Sequence, residues 1–131
     1  MKILFDDQSN VLTLILRNGC VMQQAKNPQT GEPVTQANFE AVAQASVPPD
    51  EWQAYRKLKG VDYLGTLCSA TAADQAGITS VLYAHQLQGA AFEPTVFYFE
   101  NGSKLTLNKD NIQSFANVWV AFRQSFFKAV S

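Results

Sequence analysis

A single histidine, two cysteines and seven unclustered glycines leave this 131-residue chain short of the usual materials of a catalytic or metal site. Every His-dependent triad or metal centre would have to pass through His85. Cys20 and Cys68 stand far apart with no CxxC spacing, and both are expected to be reduced thiols rather than a disulfide. No glycine-rich loop precedes a helix, so a phosphate cradle is excluded. Charge of one sign is lacking too. Ten Lys and Arg against eleven Asp and Glu give a net charge of -1, which supplies no field for steering nucleic acid or acidic membranes. No apolar run approaches the ~20 residues that span a bilayer, because Glu93, Pro94 and Thr95 interrupt even the Phe92 to Phe99 stretch. An export signal is not expected either, since Asp6-Asp7 cuts the N-terminal run after Ile3-Leu4-Phe5. The chain is therefore expected to be soluble. What is present is 47% hydrophobic residues in a chain of modal domain length, enough for one packed core and too much for intrinsic disorder.

The N-terminal apolar segments Ile3-Leu4-Phe5, Val11 to Leu16 and Cys20-Val21-Met22 are separated by Asp6 to Asn10 and by Asn18-Gly19. Asn-Gly between β-forming residues predicts a hairpin with a type I′ turn, which needs two residues at positive φ. Residues 1–24 thus read as a three-stranded meander. Residues 25–34 hold Pro28, Gly31 and Pro33 without apolar periodicity, a loop and the expected hinge. Thr35 is expected to cap a short helix carrying Phe39, Val42 and Ala43, which Pro48-Pro49 breaks. From Pro49, with Asp50 and Glu51 in its first turn, a second helix places Trp52, Tyr55 and Leu58 at intervals of three until Gly60.

Val61 to Leu67 alternates imperfectly and reads as a strand or a strand pair broken near Gly65. Thr71 followed by Asp74 forms a capping-box pattern, and Ile78, Val81, Leu82 and His85 share the face of the helix it starts, ending at Gly89. Val96 to Phe99, Asn101-Gly102 and Leu105 to Leu107 repeat the hairpin signature. With Asn108 as expected N-cap, the closing helix steps through Ile112, Phe115, Trp119, Phe122 and Phe126 by threes and fours, with Val118, Phe127 and Val130 widening the stripe. These elements predict an α+β fold, in which antiparallel β-hairpins pack against two main helices, about 71–88 and 109–129. The N-terminal meander over 1–24 is either an arm or part of the sheet, 25–34 is the hinge, and 35–131 is the α+β domain.

Few residues carry chemistry. A Cys68–His85 dyad is the sharpest enzymatic pattern, since a thiolate needs an adjacent base. Yet roughly 20 Å or more of helix rise separates His85 from the N-terminus of the helix that follows Cys68. The acid pairs Asp6-Asp7 and Asp50-Glu51 read as a turn and as first-turn helix acids, and no Asp or Glu falls in a segment that reads as buried. Lys57, Lys59, Lys104, Lys109, Arg123 and Lys128 are dispersed rather than striped with aromatics. No catalytic, metal or cofactor residues are assigned, and no cofactor, nucleic-acid partner or membrane is expected. What remains is surface. The aromatic end Phe122, Phe126 and Phe127 belongs either to the core or to a neighbouring subunit, and the meander residues Leu12, Leu14 and Leu16 belong to a unit open to strand exchange. His85 and Tyr98 mark the place for a small-molecule pocket between the aromatic strand and its helix.

Residues 50–131 carry a set of short motifs. They are Trp52-x-x-x-Arg56, Val61-x-Tyr63-x-Gly65, Ser69-Ala70-Thr71-Ala72-Ala73-Asp74, Phe97-Tyr98-Phe99-Glu100-Asn101-Gly102, Leu105-Thr106-Leu107 and the closing Phe126-Phe127-Lys128-Ala129. This set resembles a domain of unknown function found in tail-associated proteins of bacteriophages and prophages. The resemblance implies a small, non-enzymatic virion or tail-assembly component, located in the virion or the host cytoplasm, and brings no catalytic residues with it. Self-association or binding to other phage structural proteins is then the leading expectation. A small intracellular ligand-binding domain near His85 and an enzyme using His85 or Cys68 are its rivals.

Overall fold

The structure, a computed structural model, describes residues 1–127; the expected contributions of Lys128, Ala129 and Val130 to the last helix lie outside the described residues. The fold is α+β, with antiparallel sheets and an N-terminal three-stranded meander. The chain divides into two compact units, Met1–Tyr55 and Arg56–Ser131.

In the first unit, β1 (Lys2–Asp6), β2 (Val11–Ile15) and β3 (Val21–Gln24) form an antiparallel sheet with β2 in the middle. The register sets Leu4 opposite Thr13 and Leu14 opposite Met22. Side chains alternate across the sheet, so Leu12 and Leu14 enter the core with Ile3, Phe5 and Met22 packed beside them, while Leu4 and Val21 face out. Helix α1 (Phe39–Ser46) brings Val42 and Ala43 to that core, and α2 (Pro49–Lys59) brings Trp52. Phe5 stacks on Phe39 with centroids 5.4 Å apart. Each large side chain buried this way contributes about 1.5–3 kcal/mol.

Residues 25–34 close on themselves inside this unit. Val34 donates its amide to Ala25 and is fully buried, and Lys26 bridges Pro33. The division of the chain falls at Tyr55/Arg56 within α2, not at this loop. Thr35 does not cap α1. Asn38 takes the N-cap position, but its carboxamide is turned back on the loop, accepting from the Thr35 amide at 2.7 Å and donating to the Pro33 carbonyl. The loop's own orphan groups outcompete the helix for that side chain.

In the second unit, β4 (Val61–Tyr63) and β5 (Thr66–Cys68) pair as one hairpin, and β6 (Thr95–Tyr98) and β7 (Lys104–Leu107) as another. They pack with α3 (Ala72–Gln88) and α4 (Ile112–Gln124) around Tyr63, Cys68, Ile78, Phe99, Phe115 and Trp119. The capping box predicted for α3 is complete. The Asp74 amide donates to Thr71 Oγ1 while the Asp74 carboxylate accepts from the Thr71 amide. Helix α4 begins three residues later than its expected start. Asn108 and Asn111 clasp each other instead, each side-chain oxygen accepting the other's amide, and the N-cap is Asn111. Two close approaches demand glycine here. A Cβ on Gly60, at φ +88°, would stand 2.3 Å from the Cys68 carbonyl oxygen, and one on Gly77 would meet the Phe97 ring.

The Asn-Gly turns are not type I′. Only Gly19 and Gly102 take positive φ; Asn18 and Asn101 do not. Gly19 donates to Leu16 and Leu16 to Cys20, and Gly102 donates to Phe99 and Phe99 to Ser103, so both loops are three-residue turns with glycine at a bulge. Each Asn side chain accepts the amide two residues on, which holds it out of the left-handed region. The loop with two positive-φ residues is Leu64-Gly65, at +50° and +90°.

Candidate interaction surfaces

The polar centre of the second unit is Asp74, whose burial overturns the expectation that no acid lies inside. Its Oδ2 accepts from Ser69 Oγ at 2.5 Å, the Thr71 amide at 3.1 Å and Thr71 Oγ1 at 3.0 Å, and its Oδ1 from the Glu100 amide at 2.9 Å. Ser69 Oγ accepts from the Asn101 amide, and the Ser69 carbonyl from Trp119 Nε1. Asn101 in turn donates through its side chain to the carbonyls of Lys59 and Leu67. The start of α3, the residue after β5 and the β6–β7 turn are thereby tied through one carboxylate, and α4 joins them through the Ser69 carbonyl. Four donors on its two oxygens make this carboxylate a fastener. The capping pattern pointed at Asp74, but Ser69, Glu100 and Asn101 join it through contacts that carry no sequence period.

Cys68 is fully buried, and burial, followed by the charges of Asp62 and Asp74, pushes its thiol up to about 11. At neutral pH it stays protonated, the wrong form for a nucleophile. His85 sets its ring edge to face against Phe92, with centroids 5.3 Å apart. Tyr98 is 71% exposed, pointing away from the side of β6 that buries Phe97. A concavity beside the end of α3 is lined by Ala84, Gln88, Ala91, Phe92, Glu93 and Thr95, with neither His85 nor Tyr98 on its wall. The expected pocket residues therefore do not line a shared cavity there. Among the described residues no group of three or more His, Cys, Asp or Glu could hold a metal ion, and no helix is long and apolar enough to cross a membrane.

The aromatic end of α4 gathers more than its sequence foretold. Phe122 and Phe126 meet edge to face, with centroids 5.0 Å apart. The Arg56 guanidinium lies over both, 5.7 and 4.7 Å from the centroids, and Lys57 Nζ is 5.3 Å from Phe126. Arg123 reaches 5.7 Å over Phe127 while donating through Nε and Nη2 to Gln75 Oε1. Phe122 packs on the core, Phe126 is half-buried, and Phe127 is 64% exposed. Basic residues dispersed in sequence, Arg56, Lys57 and Arg123, are thus collected over three rings. Arg56 and Lys57 were invisible to helical spacing because they arrive from α2.

Of the meander residues expected at a surface, Leu12 and Leu14 are fully buried and Leu16 packs against the same core. The turn over residues 7–10 sets the register that sends these two inward. The open face of the sheet carries Leu4, Val11, Ile15 and Val21 instead, with Leu4 48% and Val21 62% exposed. In the same unit, Arg17 bridges the first turn of α2 through Asp50 and Glu51, at 3.4 and 2.9 Å. No protein-family model, curated protein or solved structure matches the chain.

Proposed function

We propose that the chain is a non-enzymatic structural or tail-assembly component of a phage or prophage particle, acting by self-association or by binding another structural protein. The observation that carries the protein-binding part is the end of α4, where Phe126 and the exposed Phe127 stand under Arg56, Lys57 and Arg123. Aromatic and arginine side chains held together are the composition of binding hot spots, supplying apolar area with a charged rim. The phage context draws its support from the motifs of residues 50–131, from Trp52-x-x-x-Arg56 to the closing helix. Against catalysis stand the saturated Asp74 carboxylate and the protonated Cys68 thiol.

Light scattering coupled to size exclusion, run over a range of concentrations, tests the self-association. A mass that grows with concentration is expected, and a strict monomer at high concentration overturns it. Genes flanking this one are expected to encode tail and baseplate proteins, and their absence overturns the phage context.

A further inference from the structure

Strand β1 lies at an edge of the N-terminal sheet, bonded to β2 on one side only. Its five residues, Lys2-Ile3-Leu4-Phe5-Asp6, contain no proline or glycine, and charges occur only at its two ends. Edges are normally blunted by a central charge, a proline or a bulge, and β1 has none of these. We infer that two copies of the chain pair through β1, antiparallel about a two-fold axis at Leu4, joining their three-stranded sheets into one of six strands. This rests on the self-association reading above and assigns it a second surface, in the first unit, in addition to the aromatic end of α4 in the second.

Charge complementarity fixes the partner and the register. About Leu4, Lys2 of each copy falls opposite Asp6 of the second copy, twice over, with Leu4 opposite Leu4 and Ile3 opposite Phe5. Lys2, Leu4 and Asp6 are the exposed set of β1, so both ion pairs and the Leu4 contact form on the same open face. The backbone allows this register, because odd-numbered residues oppose only odd ones and even-numbered only even. Residues whose amides point away from β2 oppose residues of the same set. Slipping the strands by two places Lys2 or Asp6 against Leu4, and a parallel in-register pair sets lysine beside lysine. The other edge, Val21–Gln24, is uncharged and selects no register. Asp6 is ready for the role. The Gln8 amide, then the Ser9 hydroxyl and amide, hold the carboxylate below its usual range, so it is charged for pairing with a lysine.

The test is made on the full chain in a C20S background. K2E and D6K each set like charges together at both pairs and are expected to weaken the dimer about tenfold, while K2E/D6K recovers to within about threefold. L4C is expected to form an intermolecular disulfide on mild oxidation, because directly opposed strand residues lie within disulfide reach, whereas V21C on the opposite edge does not. D6K also removes the bonds to Gln8 and Ser9, so recovery in the double variant separates pairing from a damaged turn. If the chain associates but K2E and D6K leave its affinity unchanged and L4C stays reduced, this pairing is overturned and the assembly reading stands. If the unaltered chain is a strict monomer, both fall.

Discussion

Ser69 donates its hydroxyl to Asp74 at 2.5 Å with both residues buried, and that bond joins the end of β5 to the first turn of α3. Asp74→Asn preserves shape and keeps an acceptor for the Glu100 amide, but turns an NH2 toward Ser69 Oγ and the two Thr71 donors. The hydroxyls can rotate, whereas the Thr71 amide cannot. The expected loss is about 3 kcal/mol, with Ser69→Ala costing about half of that. Trp119 lies in this unit and Trp52 in the other, so urea unfolding of a Trp52→Phe chain followed by Trp119 fluorescence reads the change directly. Unchanged midpoints would show that the carboxylate fastens nothing.

The Cys68 thiol makes stability sensitive to alkali. Its folded pKa of about 11 exceeds the ordinary 9.0, because burial and then Asp62 and Asp74 disfavour the thiolate. A group whose pKa is raised on folding stabilises fully below its unfolded pKa, and the contribution disappears as pH climbs toward the folded value. Relative to Cys68→Ala, the parent chain should lose about 2 kcal/mol between pH 8 and 10.5. Urea midpoints of the two chains across that range give the measurement, and parallel curves would refute the shift.

Alternation and helical spacing made the elements legible, yet not the choices settled by competition between groups. Asn-Gly marked both hairpins correctly, but the Asn18 and Asn101 side chains bond their own loops and keep Asn out of the left-handed region. Asn38 and Asn108 were drawn away from simple capping in the same way, by orphan groups in the loops ahead of their helices. Asp74 carried a visible capping signal, whereas its bond to the Glu100 amide spans the β6–β7 turn, a distance no local pattern encodes. The placement of Arg56 and Lys57 over rings was not legible because their partners Phe122 and Phe126 lie on another helix and the turn that follows it.

Burial also separates two leucine and phenylalanine positions that the sequence put in one class. Leu14 is enclosed among Leu12, Val34, Val42 and Trp52, so Leu14→Ala should cost about 3 kcal/mol, read by Trp52 fluorescence in a Trp119→Phe chain. Phe127→Ala removes a ring that is mostly in solvent and should shift the midpoint by no more than about 0.5 kcal/mol while weakening association. Equal losses would place Phe127 in a core and remove it from the binding surface.

Leu64 occupies the first position of the two-residue β4–β5 loop at φ +50°, a region where a Cβ crowds the following carbonyl and costs roughly 1–2 kcal/mol. Its side chain is 86% exposed, so packing within its own chain returns little of that cost. Leu64→Asn makes the loop Asn-Gly, the dipeptide best suited to two positive-φ residues, and sacrifices almost no buried area. The expected gain is about 1 kcal/mol in the urea unfolding of the second unit, again followed by Trp119 in the Trp52→Phe chain. A gain at low protein concentration together with weaker association would mean that leucine is kept there for a partner to cover. A loss at low concentration would instead require that Leu64 is packed within its own chain, contrary to its exposure.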